Sequence, residues 1–218
     1  MANKINIDFF IDEKQVIFFA KVFEIDKKDI IKDAYSNLVN IKNLWFENED
    51  SIERIFEKVF NCVSDRKIKV FIFPDYFYLG AAEVKNRVIL FGQLSRTKYF
   101  PLAIITHEIG HIFLSKFKLN EQFVNEVICL MIEDYVYSLF DSKSLSDIWK
   151  ESELDSFHSI AIKIALDEIK SNGPIVNRDI DEVLESLLKK LPDNMLSIKP
   201  SKGLISNIIK FKDKTVID

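Results

Sequence analysis

The run Thr106-His107-Glu108-Ile109-Gly110-His111 constrains this chain more than any other feature. It is an H-E-x-x-H pattern. Residues i and i+4 share one face of a helix, so the spacing makes chemical sense on a helix. His107 and His111 then present two imidazoles to one metal ion, and Glu108 reaches the water bound there. Zinc lowers the pKa of such a water to about 7, and a nearby carboxylate takes its proton during attack on a carbonyl. The chain has only three histidines, and two are in this run. The preceding Leu102, Ala103, Ile104 and Ile105 are apolar, as a buried helix requires. Gly110 inside the helix costs about 1 kcal/mol relative to alanine. Such a glycine marks a close approach of neighbouring chain or ligand.

A catalytic zinc keeps three protein ligands and one open position. The longer H-E-x-x-H-x-x-G-x-x-H spacing is excluded, because position 114 is Leu and position 117 is Phe. A carboxylate from the next helix is the natural third ligand, and Glu121 and Glu126 are the candidates. On a helical wheel Gln122, Glu126, Cys129 and Glu133 form a polar stripe. That placement predicts a solvated Glu126. Glu121 falls at the edge of the apolar side, in line with Asn125, Ile128 and Ile132. It lies ten residues past His111, enough for a hairpin of two helices. Glu121 is therefore the favoured third ligand and Glu126 the alternative. Charge also develops on the carbonyl oxygen during hydrolysis and calls for a stabilising donor. His158, Tyr99, Tyr135 and Tyr137 are available, and His158 is the one retained as a catalytic candidate.

The rest of the chain supports an α+β class, a mainly helical zincin-like domain with a small sheet packed on the H-E-x-x-H helix. Residues 1–66 read as a helical N-terminal region, with helices over 16–23, 26–39 and 50–60. Asp12 and Gln15 stand at the spacing of a capping box. Residues 67–145 read as the metallopeptidase core. Ile68 to Phe73 is a strand closed by Pro74, Gly80 marks a turn, and Arg87 to Phe91 is a second strand. Val88 to Phe91 is either an edge strand that takes an extended peptide or a central core strand. Helices are expected from Pro101 through His111 and from Asn120 to Phe140. Residues 146–218 read as a helical C-terminal region, with helices near 153–170 and 181–191. The three regions are expected to form one compact unit.

Composition sets outer bounds. With 218 residues and 48% hydrophobic content, the chain can bury a sizeable core. A net charge of −4 with mixed signs argues against nucleic-acid binding through a basic surface. No apolar run approaches the ~20 residues of a membrane helix. The N-terminus lacks the pattern of a secretory signal, so the expected compartment is the cytoplasm. Two cysteines, Cys62 and Cys129, imply no disulfide framework.

The run His107-Glu-Ile-Gly-His-Ile-Phe-Leu114 resembles the H-E-[LI]-G-H-x-L-L core of the ImmA/IrrE-type metallopeptidases. Glu121-Gln-Phe-Val-Asn-Glu-Val-Ile128 is loosely similar to that family's E-x-x-A-N-x-F-A helix, with Glu121 and Asn125 in register. The resemblance covers about residues 86–134. It implies a small cytoplasmic zinc protease of bacteria, phage or mobile elements, of gluzincin type. It also implies a glutamate ligand at position 121 and a protein or peptide substrate such as a transcriptional repressor. The alternative is a catalytically silent protein of the same fold that binds a partner.

Overall fold

A computed structural model describes residues 4–22, 24–61, 67–74, 79–92, 97–117, 122–141 and 156–191. Cys62, Glu121 and the tail after Pro200 lie outside the described residues. The elements are β1 (Ile7–Phe10), α1 (Glu13–Val22), α2 (Lys27–Phe60), β2 (Ile68–Ile72), β3 (Leu79–Glu83), β4 (Val88–Gly92), α3 (Phe100–Leu114), α4 (Gln122–Phe140), α5 (Ser156–Asn172) and α6 (Ile180–Lys190). Helix outweighs strand, and the four strands form one mixed sheet.

The helix boundaries follow local chemistry. Asp12 accepts from the backbone N–H groups of Lys14 and Gln15, capping α1. Asp26 caps α2 through Lys28 and Asp29, and Asp179 caps α6 through Asp181 and Glu182. Pro101 sits in the first turn of α3, where its missing N–H costs nothing. Gly173, at φ +80°, takes the left-handed turn that follows α5.

Three expectations for the elements are corrected. The two helices expected over 26–39 and 50–60 are one 34-residue helix. Asn40, Asn43 and Asn48 weaken the middle of its pattern, but Ile41, Leu44, Trp45 and Ile52 keep the buried stripe unbroken. The N-terminal region also contains a strand, β1, whose four residues are too few to show an alternation. Gly80 lies within a strand rather than at a turn.

The sheet order is β1-β2-β4-β3. β1, β2 and β4 run parallel, and β3 returns antiparallel along β4. Of the two readings of Val88 to Phe91, the central strand is therefore the one observed, and β3 is the edge. One face of the sheet enters the main core through Phe9, Val70, Ile72, Ile89 and Phe91. Against it lie α2 and α3. The core cluster draws on all three sequence regions, from Ile5 to Leu191. α3 is buried nearly all round, with only Pro101 and His111 partly open. Among the described residues, no helix is long and apolar enough to cross a membrane.

Candidate metal centre

α3 presents His107 and His111 on one face, one turn apart. Their Nε2 atoms stand 3.1 Å from each other. α4 packs along this face, and Gly110 makes the close approach possible. A Cβ there would stand 3.0 Å from Cys129 Sγ of α4. This contact brings the polar stripe of α4 onto the histidines. Glu126 Oε1 lies 3.5 Å from His107 Nε2, and Oε2 lies 3.3 Å from His111 Nε2.

The solvated Glu126 expected from the wheel is thus corrected, since this residue is only 7% exposed. Cys129 and Glu133, on the same stripe, are fully buried. The stripe is polar because it faces the imidazoles, not because it faces water. Glu121 lies outside the described residues.

Glu133 is a residue that the sequence reading did not single out. Its Oε2 stands 2.8 Å from His107 Nδ1, the ring nitrogen turned away from Glu126. Among the described residues neither Glu133 oxygen nor His107 Nδ1 makes an aligned hydrogen bond, so the two meet as a close polar contact. Its seven-residue spacing from Glu126 was the available signal, because it returns Glu133 to the same face two turns on.

Glu108 is buried beside the histidines, against the edge strand. The Ala82 backbone N–H donates to its carboxylate. Gly80, two residues earlier and on the same face of β3, leaves room for it. A Cβ on Gly80 would lie 2.7 Å from Ile104 Cγ2 and 3.2 Å from Glu108 Oε1. This close approach, rather than a turn, is the reason for a glycine there.

Of the four candidate stabilisers of a carbonyl oxygen, His158 reaches the cluster. Its Nε2 is 3.8 Å from Glu126 Oε1. Tyr99 instead stacks on Phe140, and Tyr137 is buried between Thr97 and Asp141. Tyr135 packs against the core.

The electrostatics follow from burial and from these contacts. Burial opposes a charge on His107, but Glu126 and Glu133 outweigh it and hold the imidazole well above its ordinary pKa. Burial likewise opposes a charge on Glu126, yet His107 and His111 keep it well below the ordinary carboxylate value. Burial raises Glu108, partly offset by His107, His111 and the Ala82 N–H. Burial also raises Glu133, with His107 pulling the other way.

The donor set fits a divalent cation. Two imidazole nitrogens stand 3.1 Å apart with a carboxylate across both, a donor arrangement that could hold one ion. Cys129 is also within 4.8 Å of both imidazoles at their ring nitrogens. Burial and then the carboxylates of Glu126, Glu108 and Glu133 hold its thiol well above its usual pKa. Glu126 also contacts both rings, so Cys129 and Glu126 are both placed as a candidate third donor. Comparisons of the chain with known protein families, curated proteins and solved structures find no match.

Proposed function

We propose that this chain is a zinc-dependent metallopeptidase. The observation that supports the reading most is the placement of Glu126 against both histidines of the H-E-x-x-H helix, with Glu108 one residue away. His107, His111 and Glu126 hold the metal, and two imidazoles with one carboxylate suit zinc. When bound, zinc acts as a Lewis acid on water and on the substrate carbonyl.

The chain's own residues supply the rest. Glu108 takes a proton from the attacking water and delivers it to the leaving amine nitrogen. A carboxylate next to the metal-bound water can act first as base and then as acid. The Ala82 backbone lies by the carboxylate, and the absent side chain of Gly80 leaves room beside Oε1. The edge strand β3 offers backbone groups to an extended peptide, which would add as a further strand. A protein substrate such as a repressor is consistent with that edge. Glu133 orients the His107 ring from behind.

The test begins with elemental analysis. Wild type is expected to carry about one zinc per chain. His111→Ala and Glu126→Ala lose it, while Glu121→Ala and Glu108→Gln retain it. In a screen of unstructured peptides read by mass spectrometry, Glu108→Gln is expected to cut at least 10²-fold more slowly than wild type, at the low end for a lost general base. A wild-type protein that takes up no zinc overturns the proposal. Zinc lost in Glu121→Ala but kept in Glu126→Ala would move the third ligand to Glu121.

A further inference from the structure

All three histidines of the chain converge on one carboxylate, from two different helices. His158 enters from the first turn of α5. Its neighbour Phe157 is buried and meets Phe123 of α4 edge-on, with ring centres 5.4 Å apart. Ala161 and Ala165 are buried further along α5, and such small residues let it lie close against α4. This packing places the His158 ring over Glu126, with its side chain 39% exposed.

The separations within the cluster have a common scale. Donors about 2.1 Å from a tetrahedral zinc stand ~3.4 Å apart. The two imidazoles on α3 stand 3.1 Å apart, Glu126 approaches them at 3.5 Å through Oε1 and 3.3 Å through Oε2, and His158 stands 3.8 Å from Oε1. The longest belongs to His158, the most exposed member. It is 0.3 to 0.7 Å longer than the others (3.8 Å against 3.5 and 3.1 Å), a gap that one side-chain adjustment closes.

We propose that His158 is a displaceable fourth protein donor to the metal. The inference rests on the metal-site reading above. Structural zinc sites use four protein ligands, whereas catalytic sites leave one position open. With His158 engaged, this site is closed. With His158 swung outward, it has the three-ligand form that hydrolysis needs. His158 is the most open of the three histidines, with 39% of its side chain exposed against 22% for His111 and 9% for His107. The chain thereby holds its metal in a capped state, and opening is a separate event from metal binding.

The experiment uses the full chain loaded with zinc or cobalt. Wild type, His158→Ala and His111→Ala are compared by chelator competition, by the visible spectrum of the cobalt forms and by acetohydroxamate binding. His158→Ala is expected to bind zinc at least tenfold more weakly than wild type. Its cobalt spectrum should change, and it should bind acetohydroxamate at least tenfold more tightly because a position has opened. An unchanged zinc affinity and cobalt spectrum in His158→Ala would overturn the proposal. If peptide cleavage also fell in that variant, His158 would instead face the substrate carbonyl. Failure of the underlying reading is distinguishable: His111→Ala would then match wild type in every metal measurement, and the proposal would fall with it.

Discussion

At the scale of single residues, Glu133 shows how a buried charge is justified by its one partner. A fully buried carboxylate is costly unless paired, and His107 Nδ1 at 2.8 Å is its partner. A carboxylate behind a ligating imidazole fixes its tautomer and orientation. Glu133→Ala is therefore expected to weaken zinc binding about 10–100-fold while leaving one zinc per chain at saturation. Chelator competition measures this, and an unchanged affinity would remove Glu133 from the site. That His107 and His111 share one face was legible in the sequence because residues four apart on a helix have a fixed spacing. Glu126 was readable as a candidate but misplaced. The wheel shows that a stripe is polar, and the usual partner of a polar stripe is water. Here the partner is another set of polar side chains, and a single helix holds no sign of that. Glu133 was harder still, since it binds nothing but a ligand's far side.

At the scale of elements, the contact between α3 and α4 depends on Gly110. Alanine in a helix gains about 1 kcal/mol over glycine. Its Cβ would meet Cys129 Sγ at 3.0 Å, and overpacking costs ~1–3 kcal/mol. Gly110→Ala is thus expected to destabilise the protein by roughly 1 kcal/mol. Combined with Cys129→Ala, which makes room, the same change should become neutral or stabilising. A double-mutant cycle in denaturant tests this, and simple additivity would show that the two helices are not in tight contact. A second prediction concerns α5 and α6. Glu168 is buried, and burial alone would raise its pKa. Lys190, Arg178 and Asn172 outweigh burial and lower it below the ordinary 4.5. The stability it provides is present above that unfolded-state value and is lost as pH falls through the lower folded value. Glu168→Ala leaves the Arg178 guanidinium buried and should cost roughly 3 kcal/mol at pH 7. That is the low end for a broken buried pair, because Lys190 is half exposed and rehydrates. The difference between wild type and variant should shrink in acid. A constant difference from pH 7 down to pH 3 would rule out this pairing. The long helices were legible from their period, and the strands β2 and β4 from their β-branched and aromatic runs. β1 and β3 were not. β1 is only four residues long. β3 contains Gly80, Ala81 and Ala82, poor strand formers, and at Gly80 the proximity of α3 leaves no room for a larger residue.

At the scale of the whole molecule, the site lies where the layers meet. α3 is packed between the sheet, α2 and α4, and the candidate donors sit at its junction with α4 and α5. Without an ion, the folded state must bury three carboxylates, Glu108, Glu126 and Glu133, and two facing imidazoles with only protons to balance them. An ion bound there joins helices that are distant in sequence, and it binds the folded chain because the unfolded chain does not assemble these donors. Binding should therefore appear as global stability. At free zinc one hundred times its Kd, the gain is about 2.7 kcal/mol. For a chain of this length, each kcal/mol moves the melting temperature by ~2–4 °C, so zinc should raise it by roughly 5–10 °C. Chelation should reverse the shift. His111→Ala should melt at the same temperature with and without zinc, because the donor set is incomplete. The comparison separates a true site from loose surface binding, since scattered carboxylates would give His111→Ala the same shift as wild type. A wild-type melting temperature that does not respond to zinc would mean that the cluster at the α3–α4 junction is a buried ion-pair network and not a metal centre.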